Sequence, residues 1–281
     1  MSHKSKPKLG QNFLVDDRAR HAVADALGDI SDRTVVEIGP GHGSITDILA
    51  TRARRLIAVE LEPAFVAELK FRFRNAANVT IHQADILETD LPSLVPSDVA
   101  ESESTPSRTP QKGGSFDVIG NLPFYITSDI LLKLFSTSTH GRLRRAVLMM
   151  QREVADRVSA SPGVRDYGAL SATAQMYAAV QTLFTLPPSA FNPPPDVYST
   201  VLRLEFAPRF DELEVDPLGF SKFLRACFAQ KRKTLANNLR SGGFSDQSVH
   251  QAWPASISPL ARAETITLEG MAELYRALRP R

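Results

Sequence analysis

The tetrapeptide Asn121-Leu122-Pro123-Phe124 follows a short apolar run and carries the most specific chemical signal in the chain. An exocyclic adenine nitrogen is a poor nucleophile because its lone pair is delocalised into the ring. Two acceptors, the Asn121 side-chain oxygen and the Leu122 carbonyl, can bind its N–H groups and draw it towards a tetrahedral geometry. We expect Pro123 to fix the turn and the Phe124 ring to stack on an extruded base. Catalysis would then consist mainly of positioning the amine and a methyl donor for in-line displacement, with a purely structural turn after a strand as the alternative.

A second candidate site is the turn Gly39-Pro40-Gly41-His42-Gly43, which directly follows an apolar run. Glycines let the backbone turn sharply and let a ligand approach closely. A dinucleotide site would need G-x-G-x-x-G, but here the third glycine comes one residue early. Glu37 beside the turn would repel a pyrophosphate, whereas it suits the cationic groups of S-adenosylmethionine. The turn therefore predicts a nucleoside-type cofactor, with a purely structural turn as the alternative.

Two carboxylates stand at the ends of the next apolar runs, as expected for the rim of such a site. Glu60 could accept hydrogen bonds from both ribose hydroxyls. Asp85, in His-Gln-Ala-Asp, could accept one from the adenine amino group. Either could instead be an ordinary charge at the end of a strand. With Gly39 and Gly41 they predict a single cofactor site.

The elements that must position these residues alternate between helices and short apolar strands from residue 18 to about 150. This α/β pattern predicts a doubly wound, Rossmann-like parallel sheet, which binds ligands at the carboxyl ends of its strands. Apolar residues at helical spacing, such as Ile130, Leu131 and Leu134, mark the helices between them. The predicted strands are Thr34–Ile38, Arg55–Glu60, Val79–Gln83, Phe116–Gly120 and Ala146–Met150.

The pattern changes in two places. Ser97–Ser115 is rich in Ser, Thr, Pro and Gly, which predicts a mobile surface insertion. After residue 207 the pattern becomes helical, which predicts a domain of residues 1–207 and a small helical domain of residues 208–281. The elements predicted after Gln151 are a helix at Arg152–Ala160, strands at Thr182–Leu186 and Thr200–Phe206, and helices near Leu218–Ala229, Lys231–Leu239, Asp246–Ala252 and Leu268–Leu278.

The 281 residues carry a formal charge of only +2, but the basic residues are unevenly distributed. No acidic residue occurs between Leu218 and Phe244, so this stretch predicts a basic face that contacts an RNA backbone, with a solvated helix face as the alternative. Its candidate RNA-binding residues are Lys222, Arg225, Lys231, Arg232 and Lys233. A weaker basic group is formed by Lys4, Lys6 and Lys8.

The remaining bulk features favour a cytoplasmic protein that does not insert into membranes. The single cysteine, Cys227, cannot form an internal disulfide and has no neighbouring ligands for zinc. No apolar run approaches the roughly 18 residues that a membrane span needs. The first residues lack a hydrophobic signal core. We expect no metal and a monomeric state.

Seven segments closely resemble the ribosomal RNA adenine N6-dimethylases of the KsgA/RsmA type, and the resemblance covers about residues 8 to 278. They are GQNFLVD (Gly10–Asp16), VEIGPGHG, AVELE, NLPF, QREVADRVSASPGVRDYGALS (Gln151–Ser171), AFNPPPDVYSTVLRL (Ala190–Leu204) and FAQKRKTLANNL (Phe228–Leu239).

This resemblance implies a class I S-adenosylmethionine-dependent methyltransferase with a C-terminal helical RNA-binding domain. It adds Asn12 and Leu14 to the cofactor contacts, with Asn121 completing that site. Phe191 would be the second aromatic that sandwiches the target base. The implied substrate is a pair of adjacent adenosines in the hairpin loop near the 3′ end of 16S rRNA, in the small ribosomal subunit precursor.

Two other functions share many of these features. An erythromycin-resistance type methylase would modify a large-subunit adenosine with the same cofactor motifs, but Gln151–Ser171 and Phe228–Leu239 favour the small-subunit enzyme. A mitochondrial-type transcription partner would bind nucleic acid without methylation. The intact NLPF motif and Phe191 argue against lost chemistry. Phe124 departs from the tyrosine that is more frequent in bacterial members, and it keeps the stacking face without the hydroxyl.

Overall fold

The computed structural model describes residues 12–96, 114–245, 249 and 253–278. The N-terminal lysines, most of Ser97–Ser115 and most of the predicted helix Asp246–Ala252 lie outside these residues. Contacts divide the chain into two compact units. The first comprises Met1–Arg152 and Gln181–Phe206, and the second comprises Glu153–Val180 and Ala207–Arg281.

Strands and helices alternate through the first half of the chain. The strands are β1 (Phe13–Leu14), β2 (Thr34–Ile38), β3 (Arg55–Glu60), β4 (Val79–Gln83), β5 (Phe116–Asn121), β6 (Leu143–Gln151), β7 (Ala178–Leu186), β8 (Phe191–Asn192) and β9 (Ser199–Phe206). The helices that accompany β1 to β6 are α1 (Asp17–Asp25), α2 (Thr46–Ala50), α3 (Pro63–Arg72), α4 (Leu91–Leu94) and α5 (Thr127–Ser138).

The main sheet has seven described strands in the order β4-β3-β2-β5-β6-β9-β7. Strands β2 to β6 run parallel to one another, and β9 is antiparallel to β6. Every residue of β2 is buried, as expected for a parallel strand covered on both faces. Ile38 pairs with both Val59 and Gly120, so the carboxyl ends of three strands meet at one edge. This edge carries the predicted cofactor residues Gly39, Glu60 and Asn121.

The predicted strands β2, β3 and β4 are confirmed with the same bounds, because each is a short apolar or alternating run between clear turn signals. Strand β6 begins at Leu143, three residues earlier than predicted. In this added part, Arg145 Nε donates to Glu205 Oε1 of β9 at 2.6 Å. Strand β7 also begins earlier, at Ala178. Helix α5 buries Ile130, Leu131 and Leu134, as their spacing predicted.

The second unit is helical in its C-terminal part. Its described α-helices are α6 (Arg152–Ser159, whose first residue belongs to the first unit), α7 (Ala169–Tyr177), α8 (Pro217–Cys227), α9 (Leu235–Ser241) and α10 (Leu268–Leu278). Helix α8 begins at a cap in which Asp216 accepts a hydrogen bond from the Gly219 amide at 2.7 Å. The Tyr275 hydroxyl donates to the other oxygen of the same carboxylate.

Residues 153–180 were predicted to belong to the first domain, but the structure groups them with the C-terminal unit. The reason is hydrophobic burial. Tyr167, Ala172 and Met176 are at most 1% exposed and lie in one apolar cluster with Phe220 and Phe223. A boundary close to residue 207 is observed, but the second unit also includes this earlier segment.

The prediction that Lys231, Arg232 and Lys233 lie on a helix is wrong. They form an exposed turn, and α9 begins only at Leu235. Thr234 caps α9 by accepting a bond from the Asn237 amide. The Asn238 side chain donates to the Cys227 carbonyl at 2.7 Å and to the Gln230 carbonyl at 3.1 Å. These bonds provide donors for carbonyl groups at and just after the end of α8, and they stabilise the non-helical turn between α8 and α9.

Within the described ranges, no helix is long and apolar enough to cross a membrane.

Candidate active site

The glycine-rich turn after β2 is tied to β3 by backbone bonds. The Gly39 amide donates to the Val59 carbonyl at 3.0 Å, and the Gly41 amide donates to Glu60 Oε2 at 3.0 Å. Both glycines have positive φ, 62° and 55°, which a side chain would strain. A Cβ on Gly41 would lie 2.7 Å from the Phe13 ring, whereas the space beside Gly39 is open. The turn is thus packed on one side and accessible on the other.

Glu60 is held firmly at the end of β3. It is 6% exposed, and its Oε1 accepts a bond from the Glu62 amide at 2.9 Å while Oε2 holds Gly41. Each carboxylate oxygen can accept a second hydrogen bond. Glu60 can therefore bind a ligand hydroxyl without releasing the turn.

Two open clefts adjoin at this edge of the sheet and share Gly39, Glu60 and Pro123. The first is about 710 Å³ and is lined by Ile38, Gly39, Val59, Glu60, Leu61, Ala84, Asp85, Ile86, Leu87, Pro123, Tyr125 and Ile126. The second is about 510 Å³ and is lined by Asn12, Phe13, Gly39, Gly41, Glu60, Asn121, Leu122, Pro123 and Phe124. Most of the predicted cofactor and base-binding residues therefore surround one continuous groove.

Asp85 lies in the first cleft, on a turn that follows β4. Its Oδ1 accepts the Leu87 amide at 2.8 Å, and its carbonyl accepts the Thr89 hydroxyl at 2.6 Å. These bonds fix the carboxylate at the mouth of a mostly apolar cleft. Such a cleft suits a purine ring, with Asp85 as an acceptor at its edge.

Tyr125 lines the same cleft and was not selected from the sequence. It is 58% exposed, and it follows the NLPF motif directly. Desolvation, together with the nearby carboxylates of Asp85 and Glu60, raises the pKa of its hydroxyl. Its position directly after Phe124 was the one sequence feature that could have indicated a role in the site. The sequence alone does not show on which side of the turn the Tyr125 ring lies.

The NLPF motif forms a tight turn at the end of β5. The Asn121 Nδ2 donates to the Asn12 carbonyl at 2.9 Å, and the Leu122 amide donates to the Met149 carbonyl at 2.9 Å. The Pro123 carbonyl accepts the Thr127 hydroxyl at 2.9 Å. No donor in the described part of the chain reaches Asn121 Oδ1 or the Leu122 carbonyl. Two acceptors therefore remain available beside the second cleft.

The aromatic residues of the predicted base site differ in exposure. Phe124 is half-buried and lines the second cleft. Phe191 is 4% exposed and packs in a hydrophobic cluster with Leu14, its partner in the antiparallel pairing of β1 and β8. Neither Phe191 nor Leu14 lines a cleft described above. Base stacking by Phe191 and a cofactor contact by Leu14 stay predictions.

Glu37 lies beneath the turn and is 2% exposed. Burial, with smaller contributions from the Asp47 and Glu60 carboxylates, raises its pKa to about 8. Its side chain is therefore mostly neutral at pH 7, and repulsion of a pyrophosphate by a charged Glu37 no longer argues against a dinucleotide. Because the packing that buries Glu37 is tertiary, its neutral state could not be inferred from the sequence.

The predicted RNA-binding residues are all exposed in the second unit. Lys231 also borders an open cleft of about 1240 Å³, together with Phe228, Arg157 and Arg165. The two arginines were not selected from the sequence because they lie far from the acid-free stretch. Glu153 and Asp166 line the same cleft, so its charge is mixed. Across the described residues no group of acidic, histidine and cysteine side chains could hold a metal ion.

A family model described as ribosomal RNA adenine dimethylase matches residues 2–279. The chain belongs to this family. It is therefore an rRNA adenine methyltransferase, as the NLPF motif and its neighbours predicted.

Two relatives named ribosomal RNA small subunit methyltransferase A share about half of their residues with this chain. The protein of Acidobacterium capsulatum is 50% identical over 100% of this chain and 94% of its own length. That of Koribacter versatilis is 49% identical over 98% of this chain and 94% of its own length. The likeness to the family thus extends over both units.

Solved structures confirm the Rossmann-like methyltransferase fold. A dimethyladenosine transferase from Plasmodium falciparum has a TM-score of 0.71 at 21% identity, covering 93% of this chain and 95% of its own. The 23S rRNA methyltransferase ErmE has a TM-score of 0.66 at 21% identity, covering 95% of this chain and 99% of its own. At this identity the two structures report the fold alone.

Proposed function

We propose that this member of the rRNA adenine dimethylase family transfers methyl groups from S-adenosylmethionine to the N6 atoms of two adjacent adenosines near the 3′ end of small-subunit rRNA. The observation that carries the proposal is the pair of available acceptors, Asn121 Oδ1 and the Leu122 carbonyl, beside a cleft. The names of the relatives that are 50% and 49% identical support the small subunit as the target.

The residues around the two clefts fit S-adenosylmethionine. The open space beside Gly39 admits a ligand against the backbone, and the buried Glu60 carboxylate keeps acceptor capacity for ribose hydroxyls. The apolar first cleft, with Asp85 at its mouth, suits the adenine ring. Asn12 and Gly41 line the second cleft, where the amino acid part would lie. When bound, the cofactor supplies an electrophilic methyl group.

The chain's own contribution is to bind and orient the amine. Asn121 Oδ1 and the Leu122 carbonyl accept its two N–H groups, so the lone pair turns out of the ring plane and becomes available to the methyl group. Phe124 offers an apolar face for the extruded base. Phe191, which is buried in the structure, is proposed to provide the second aromatic face. No strong base is required among these residues.

The exposed turn of Lys231, Arg232 and Lys233 is proposed to contact RNA phosphates, with Lys222 and Arg225 on α8 beside it in sequence. Each neutralised phosphate would release bound counterions. We propose that Arg157 and Arg165, which share a cleft with Lys231, extend this surface. A monomeric, cytoplasmic enzyme acting on small-subunit precursors stays a prediction.

The test is to incubate the purified protein with labelled S-adenosylmethionine and unmethylated small or large ribosomal subunits, and to map the methyl groups. We expect label on two adjacent adenosines of the small-subunit rRNA. Label confined to a large-subunit adenosine would support the erythromycin-resistance type instead. Binding of RNA without any transfer would support a binding module.

A further inference from the structure

An arginine and a tyrosine form an exposed pair at the edge of the sheet that carries NLPF. The Arg152 guanidinium lies over the Tyr198 ring, 5.2 Å from its centroid. The Arg152 amide donates to the Tyr198 carbonyl at 2.9 Å, which anchors both backbones. Tyr198 is nevertheless 46% exposed, and Arg152 is exposed as well. The pair is held in place yet open to solvent.

The sheet places this pair close to the proposed chemistry. Met149 pairs with Asn121, and its carbonyl accepts the Leu122 amide. Gln151, two residues further along β6, pairs with Ser199 of β9. At about 3.3 Å per residue, Arg152 lies roughly 10 Å along the chain from Met149. A nucleotide that flanks a base held at Asn121 would reach this distance.

The chemistry of the pair suits a single-stranded nucleotide. With one ring face covered by Arg152, the exposed part of Tyr198 can stack on a base, and aromatic stacking on bases is tolerant of sequence. The guanidinium can bind a phosphate through two parallel hydrogen bonds. Asp196, an exposed carboxylate two residues before Tyr198, weakens the local positive charge. Stacking therefore contributes more than charge at this position.

A similar pair elsewhere provides a comparison. Arg74 lies over Phe71 at 4.5 Å, and Phe71 is 71% exposed. Phe71 stands near the end of α3, and α3 begins just after Glu60. Phe71 lines neither cleft, although the neighbouring Arg72 donates to the His42 carbonyl at 2.8 Å. Of these two pairs, Arg152–Tyr198 is the one that adjoins β6, the strand that pairs with Asn121.

We propose that Tyr198 and Arg152 bind the nucleotide adjacent to the target adenosine, with the base stacked on Tyr198 and its phosphate paired with Arg152. This inference rests on the proposed rRNA substrate. Neither residue takes part in the chemical step, so substitution should raise KM for RNA and leave kcat and cofactor affinity unchanged.

The test measures kcat and KM with unmethylated small subunits for wild type, Tyr198→Ala, Tyr198→Phe and Arg152→Lys, with Phe71→Ala as the matched control. We expect Tyr198→Ala to raise KM about fivefold or more, Tyr198→Phe to stay near wild type, and Phe71→Ala to have no effect. The Tyr198→Ala effect should change little with salt. Because lysine keeps the charge, the Arg152→Lys effect should also change little with salt, and it reports the loss of the two parallel hydrogen bonds to phosphate.

A spectroscopic readout separates stacking from a structural role. An RNA hairpin with 2-aminopurine beside the target adenosine should lose fluorescence on binding wild type and Tyr198→Phe, but much less on binding Tyr198→Ala. Equal KM values and equal quenching for Tyr198→Ala and Phe71→Ala would overturn the inference while the proposed function stands. Absence of any transfer to small subunits by wild type would overturn both.

Discussion

The Asn121 side-chain Nδ2 donates a hydrogen bond to the Asn12 carbonyl oxygen at 2.9 Å. This bond joins residues 109 positions apart and fixes which way the amide points. With Nδ2 occupied, Oδ1 is the atom left for a substrate amine. The N-terminal segment therefore sets the orientation of the proposed acceptor as well as lining the cleft.

Replacement of Asn121 by alanine should abolish methyl transfer. It removes one of the two acceptors that reshape the amine, while cofactor binding should change by no more than about 1–2 kcal/mol because one or two hydrogen bonds are lost. Label incorporation and calorimetric titration with the cofactor measure the two effects. Near-wild-type turnover would contradict the acceptor mechanism.

The Asn121→Asp variant tests the bond to Asn12 separately. The carboxylate keeps an acceptor for the amine but cannot donate to the Asn12 carbonyl, and two facing acceptors repel each other. We expect activity between that of wild type and Asn121→Ala. Activity equal to wild type would mean that the bond to Asn12 does not position Oδ1.

Glu60→Gln should weaken cofactor binding. Its carboxylate holds two backbone amides, and the variant's NH₂ group must face one of them. Hydrogen bonds to a charged group contribute about 1.5–3 kcal/mol, so the cofactor Kd should rise at least about tenfold. Glu88→Gln, an exposed carboxylate after β4, is the matched control. Equal affinities for both variants in calorimetry would refute the ribose assignment.

Glu37 should make the fold less stable as pH rises. Its pKa is raised from 4.5 to about 8 in the folded protein, so the folded state binds the proton more tightly. This contribution to stability is fully present below about pH 4.5 and is lost as pH rises to about 8. The slope is at most about 1.4 kcal/mol per pH unit for one proton.

The Glu37→Gln variant resembles the neutral carboxyl and should lose this pH dependence. Urea unfolding of wild type and variant between pH 5 and 8 measures the difference. The variant should gain stability relative to wild type as pH increases. If the free energy of unfolding changed equally with pH in wild type and Glu37→Gln, Glu37 would be ionised in the folded protein.

Lys231→Ala, Arg232→Ala and Lys233→Ala should each weaken RNA binding and reduce its salt dependence. Loss of one phosphate contact lowers the slope of log K against log salt by about 0.7–0.9. Lys70→Ala, an exposed lysine on α3, is the control. If all four variants gave the same slope as wild type, the turn would not be part of the RNA interface.

The parallel sheet and its rim could be predicted from the sequence because the signals are local. Strands β2, β3 and β4 are short runs with clear ends, and parallel strands bring Glu60 and Asp85 to one edge. NLPF was informative for the same reason, since its four residues act within one turn. Only the family resemblance points to Asn12, because nothing near it in sequence indicates a bond to Asn121.

The misjudged features depend on distant contacts. The helix predicted from Lys231 begins at Leu235 because Asn238 reaches back to Cys227 and Gln230. The sequence suggests a charged Glu37, but tertiary packing buries this side chain and raises its pKa. Residues 153–180 join the second unit through apolar contacts with residues beyond 207. Each case requires knowledge of which segments pack together.

The pairing of β1 with β8 brings Phe13 to Asn192 and Leu14 to Phe191. A ribosome that synthesises this chain must therefore deliver residue 192 before the N-terminal strand can find its partner. Contacts between residues so far apart in sequence form slowly, because the intervening chain must first be ordered. Strand β1, which follows Asn12 directly, therefore pairs late. A nascent chain that ends before β8 would contain NLPF but lack the strand pairing next to Asn12. We therefore expect the first unit to become competent for catalysis only after β8 has been synthesised.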